Sequence, residues 1–202
     1  MPVNDDNKKG PNAMTASPAT LDAERADLLA MIATARSALT RTVQGLGDEQ
    51  LGERPTVSAL CLGGLIKHVA SMEESWLRFA LEGPSAMRHD LPDGVTWADI
   101  MAGTAREFPQ WMIDHDNEFR MLPGDTSAGI LARYEQVAAR SAEIVAAVPD
   151  LSATHPLPTA PWHEPGGVLS VRAVLMHVIA ETSQHAGHAD ILREALDGQK
   201  SS

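Results

Sequence analysis

The chain has 202 residues, 44% of them hydrophobic, which is enough for one compact core and too little for two. Sixteen Lys and Arg against 27 Asp and Glu give a formal net charge of -11, which repels both a phosphate backbone and an anionic membrane surface and argues against nucleic acid and membrane as partners. The single cysteine, Cys61, excludes an internal disulfide, and no apolar run has the length of a signal peptide or a membrane span, so a soluble cytoplasmic protein is expected.

Residues 1–18 are rich in Asn, Asp, Lys, Gly and Pro and cannot bury enough surface to order, so a disordered tail is expected there. One all-α domain over residues 19–198 follows, with residues 199–202 a short tail. From Thr20, Leu21, Leu28, Leu29, Ile32, Leu39 and Val43 recur at helical spacing until Gly45 or Gly47 ends a first long helix. After a turn-rich stretch, a second runs from about Ala59 to Glu82 and stops at Gly83-Pro84. Its apolar stripe is Leu65, Val69, Met72, Trp76 and Ala80, and His68 falls near the edge of the buried half.

Residues 84–126 carry weaker signals. Trp97, Ile100 and Met101, then Trp111, Met112 and Phe119, suggest one or two short helices broken at Pro109, an excursion that would cover one end of a bundle. His89 and His115 lie beside aspartate here and are expected to be solvated. Ile130, Leu131, Tyr134, Val137, Ile144 and Val145 mark a third long helix from about Thr126 to Val148. Pro156, Pro158, Pro161 and Pro165 make the next connection a stiff, extended crossover. Trp162 and His163 on it either line a pocket over the following helix or staple the loop. No run alternates with period two, so no sheet is expected.

The last helix runs from Ser170, its N-cap, to Asp197, before Gly198. At about 100° per residue, Val174, Val178, Ala189, Leu192 and Leu196 form one stripe. His185 projects from its middle, Glu181 lies roughly 40° to one side, and His177 and His188 sit at its edge. A carboxylate facing a core loses its hydration unless it is protonated or paired. The i, i+4 Glu–His pair therefore either shares a divalent ion or bonds internally, and a third ligand decides between the two. His68 is the candidate third vertex. Three protein ligands leave a position open, as in a catalytic site; zinc suits this donor set, with nickel, iron and manganese as alternatives. His-Glu-x-x-His is absent, as is the paired Glu-x-x-His of di-iron bundles, and Cys61 reads better as a buried thiol than as a nucleophile.

The segments LGGLIKHVASMEESWLRFALEG and VLMHVIAETSQHAGHADILREALDG resemble those of the DinB-like superfamily of actinobacterial type, close to the mycothiol-dependent maleylpyruvate isomerases and thiol transferases. The resemblance spans roughly Leu21 to Gly198. It implies a four-helix bundle, a divalent metal on His68, Glu181 and His185, and His188 as an outer or pocket residue; the residue pattern itself adds the short helical excursion between helices two and three and His177, Trp162 and His163 as further candidate pocket residues. The resemblance also implies dimers formed through bundle faces, mycothiol as thiol co-substrate, and a small electrophile as the second substrate. The expected activity is thiol S-transfer or thiol-dependent isomerisation. Metal-assisted hydrolysis with Glu73 or His188 as base is the alternative, and binding of metal or a small molecule without turnover is the third reading.

Overall fold

The structure, a computed structural model, describes residues 22–87 and 89–200; the expected tail over residues 1–18 lies outside the described residues. Local chemistry sets the helix ends. Helix α1 (Ala23–Arg41) starts where Asp22 accepts the amide of Arg25 at 2.9 Å. After the single-turn α2 (Asp48–Gly52), helix α3 (Leu62–Glu82) runs to Gly83, whose φ of 68° reverses the chain into a 3₁₀ turn, Gly83–Ala86. The excursion holds two short helices, α4 (Trp97–Ala102) and α5 (Gln110–Glu118), with Pro109 at the N-cap of the second. Thr126 caps α6 (Ser127–Ala147), and Ser170 caps α7 (Val171–Asp197) by accepting the amide of Ala173 at 3.1 Å.

The four long helices close into an all-α bundle. Helix α7 lies against both α1 and α3, α3 also packs on α6, and α6 completes the ring against α1. Ile32 and Leu39 of α1, Leu65, Ile66, Val69 and Phe79 of α3, Val145 of α6 and Val174, Leu175 and Val178 of α7 are all buried in one core. Each such side chain contributes about 1.5–3 kcal/mol by leaving water. Among the described residues no helix is long and apolar enough to cross a membrane.

The crossover differs from expectation in one respect. It carries a small antiparallel pair, β1 (Thr154–Pro156) with β2 (Val168–Ser170), in the register Thr154↔Ser170, His155↔Leu169 and Pro156↔Val168. Three residues are too few to show a period of two, and the prolines that keep this segment extended also leave it free to pair. The clasp leads directly into the Ser170 cap of α7.

Candidate metal centre

Three helices bring chemistry together beside the N-terminal half of α3. His68 is buried, 8% exposed, and its ring centroid lies 5.0 Å from that of His185 on α7. Glu181, one turn earlier on α7, places Oε2 3.7 Å from His185 Nε2. His188 follows, its ring 5.5 Å from that of His185. The Nδ1 atoms of His185 and His188 are buried without a hydrogen-bond partner. Burial, reinforced by the neighbouring His68 and His188 and opposed by Glu181, holds the pKa of His185 below that of an ordinary histidine. Its imidazole is therefore neutral at pH 7, the form in which histidine binds a metal.

The third contributor is α5. Trp111, His115 and Glu118 fall at i, i+4 and i+7 on one face of this helix. Glu118 Oε2 lies 3.1 Å from His68 Nδ1 and 3.4 Å from His115 Nδ1. Ligand atoms of His68, His115 and Glu118 all lie within 4.8 Å of one another, and among the described residues this is the His/Glu group close enough to hold a metal ion as it stands. Burial would raise the pKa of Glu118, but hydrogen bonds with His115, His68 and Ser71 outweigh it and hold the carboxyl at about 2. The hydrogen bond to Glu118 raises the pKa of His115 against the opposing effect of burial. His115 is half exposed, yet it is a member of the cluster and not the freely solvated residue its aspartate neighbours suggested. The His-x-x-Glu spacing at residues 115 and 118 was the available signal, obscured because α5 spans only nine residues and buries none of them.

The other expected site residues lie apart from this cluster. His177 sits farther along α7, its ring 4.5 Å from that of Trp76. Trp162 and His163 belong to a separate aromatic group. The Trp162 ring lies 5.2 Å from Trp97, 6.3 Å from Trp111 and 5.3 Å from His89, so it ties the crossover to the excursion. His163 Nδ1 bonds the carbonyl of Pro158 at 2.9 Å. His89, also expected in solvent, is half-buried between Trp111 and Trp162, and burial lowers its pKa. Because Trp111 is one turn before His115, this aromatic group and the His/Glu cluster are neighbours along α5. Beside Glu118, a recess of about 450 Å³ is lined by Lys67, Ser71, Asn117, Asp125 and Arg133.

Two other groups are closed off from the site. Glu73 is fully buried and held by Arg36 and Ser141, so it serves an ion pair inside the core. Cys61 is 1% exposed, with Sγ 3.7 Å from the carbonyl of Phe119. No curated protein matches the chain. The family described as Mycothiol-S-transferase matches residues 27–198, most of the sequence, and the chain belongs to that family.

Proposed function

We propose that the protein is a metal-dependent thiol S-transferase that joins mycothiol to a small electrophile, with the ion held by His68, Glu181 and His185. The observation that carries this reading is the convergence of α3 and α7, which sets the two imidazoles 5.0 Å apart with a carboxylate beside the second. His185 is kept neutral and leaves a buried ring nitrogen without a partner, which fits a ligand set awaiting a cation. Glu118 and His115 already satisfy one another and His68 through hydrogen bonds, which favours the α7 pair over the α5 pair as ligands.

A divalent cation at these three residues supplies the positive charge that makes a thiol acidic at neutral pH. The protein's own groups do the rest. His188, its Nδ1 unpartnered beside His185, is placed to take the thiol proton. Ser71, Asn117 and Asp125 give the adjoining recess the donors and acceptors that a sugar-bearing thiol needs. Trp97, Trp111 and Trp162 offer an apolar wall for the electrophile one helical turn from His115. The sulfur forms one bond to carbon as the carbon's bond to the electrophile's leaving group breaks, the leaving group departs with that electron pair, and the thiol proton passes to the base and then to the departing group or solvent.

The test is elemental analysis of the purified protein beside the H185A and H68A/E181A/H185A variants, followed by mass spectrometry of mycothiol incubated with a small electrophile. About one ion per chain, lost in both variants together with formation of the S-conjugate, is the expected result. Full metal content in H185A would overturn the ligand assignment. Metal binding without enzyme-dependent conjugate would overturn the transferase.

A further inference from the structure

We propose that Glu118 is a positioning residue: by accepting the Nδ1–H of His68 it fixes that imidazole's tautomer and leaves Nε2 as the metal ligand. The inference rests on the assignment of the ion to His68, Glu181 and His185 and adds an outer carboxylate to it. An ionised carboxylate only accepts hydrogen bonds, so in the 3.1 Å contact between Glu118 Oε2 and His68 Nδ1 the proton belongs to the imidazole. A neutral ring protonated at Nδ1 carries its lone pair at Nε2. Carboxylates in this relation to a metal-binding histidine orient the ring and raise its basicity.

The local fold places Glu118 by several independent means. A Cβ on Gly64 would clash with the backbone carbonyl of Phe119, so the end of α5 approaches α3 this closely only because Gly64 lacks a side chain, while Gly63 leaves room for the Met121 side chain. Lys67, one residue before His68, donates to the carbonyls of Asn117 at 3.3 Å and Arg120 at 2.9 Å, which tethers the C-terminal turn of α5. The Phe119 ring stacks on the His68 imidazole at 4.1 Å with an interplanar angle of 27°. Residues 118 and 119 thus hold one imidazole by its edge and by its face.

The experiment uses the full chain. Long-range ¹H–¹⁵N correlation of the metal-free protein reports the tautomer of His68, assigned with an H68N variant, and chelator competition reports zinc affinity for wild type, E118A, E118Q and E181A. In the wild type, His68 should be protonated at Nδ1. In E118A the Nε2–H form should enter and zinc affinity fall by roughly 10–100-fold, with one ion still bound at saturation. E118Q, whose amide oxygen still accepts, should recover most of both signals, and it keeps the test decisive if E118A folds poorly. An unchanged tautomer and affinity in E118A would overturn the positioning role alone. Loss of stoichiometric zinc in E118A with retention in E181A would overturn it in another way, by making Glu118 a ligand. A wild type that binds no ion would remove the metal assignment and this role with it.

Discussion

Arg36 of α1 holds Glu73 of α3 through both carboxylate oxygens, Nε to Oε2 at 2.8 Å and Nη2 to Oε1, and Ser141 of α6 bonds the same carboxylate. The two charged residues come from helices that are not neighbours in the ring, so the pair crosses the bundle. Glu73 is fully buried, and removing only its cation would strand a charge in the core. R36A is therefore expected to lose about 3–5 kcal/mol, whereas the double variant R36M/E73L should regain most of that loss. Urea unfolding with an unchanged m-value checks both. A mild R36A would show that water reaches Glu73.

The glycine pair on α3 gives a sharper comparison. At Gly64 the new Cβ would meet backbone atoms of Phe119 and Arg120, which no rotamer change relieves, while at Gly63 the closest contact is the flexible end of Met121. G64A should cost about 1–3 kcal/mol, more than any gain in helix propensity returns. G63A should be close to neutral, because Met121 can swing aside. Thermal melts rank the two, and zinc affinity should fall in G64A as the end of α5 is pushed away from His68.

The Glu118–His115 pair makes the metal-free protein pH-sensitive in a defined window. Glu118 is depressed from 4.5 to about 2, so its contribution is present above pH 4.5 and is lost as pH falls toward the folded value. His115 is raised above 6.5, so its contribution is complete below pH 6.5 and fades as pH rises through its folded value. The two overlap between those limits. With the His115 side chain 53% exposed and that of Glu118 23%, screening reduces the effect to about 1 kcal/mol or less. The difference in melting temperature between wild type and E118Q, measured without metal, should peak in that interval; a difference independent of pH would contradict the pairing.

These relationships differ in how far the sequence discloses them. Thr126, Ser170, Gly83 and Gly198 act on their own neighbours, so the ends of the long helices are readable from residue type alone. Helical periodicity also places His68, Glu181 and His185 on inward arcs, and the fold brings their helices together. Partners are another matter. A wheel for α3 puts Glu73 at an ambiguous angle and says nothing of an arginine 37 positions earlier on a helix across the core. Likewise, Gly63 and Gly64 read locally as residues that weaken a helix, and only the docked α5 reveals the close approach they permit. His115 looks solvated because its chain neighbours are polar, while its spatial neighbours are His68 and Glu118.

On the proposed assignment, His185 is the ligating histidine of α7 and His177 a structural one. Both lie on the α7 column that includes Glu181, and burial lowers the pKa of both, so neither sequence spacing nor titration distinguishes them. Position along α3 does. His177 meets Trp76, which is eight residues and therefore about 12 Å beyond His68, far outside the reach of bonds of about 2 Å to a shared ion. H177A should keep one metal ion per chain with unchanged affinity and lose only modest stability from the contact with Trp76, about 1 kcal/mol. H185A should bind none at the same total zinc concentration. Elemental analysis after gel filtration reads both variants in a single experiment, and metal lost from H177A but kept by H185A would move the site toward the C-terminal end of α3.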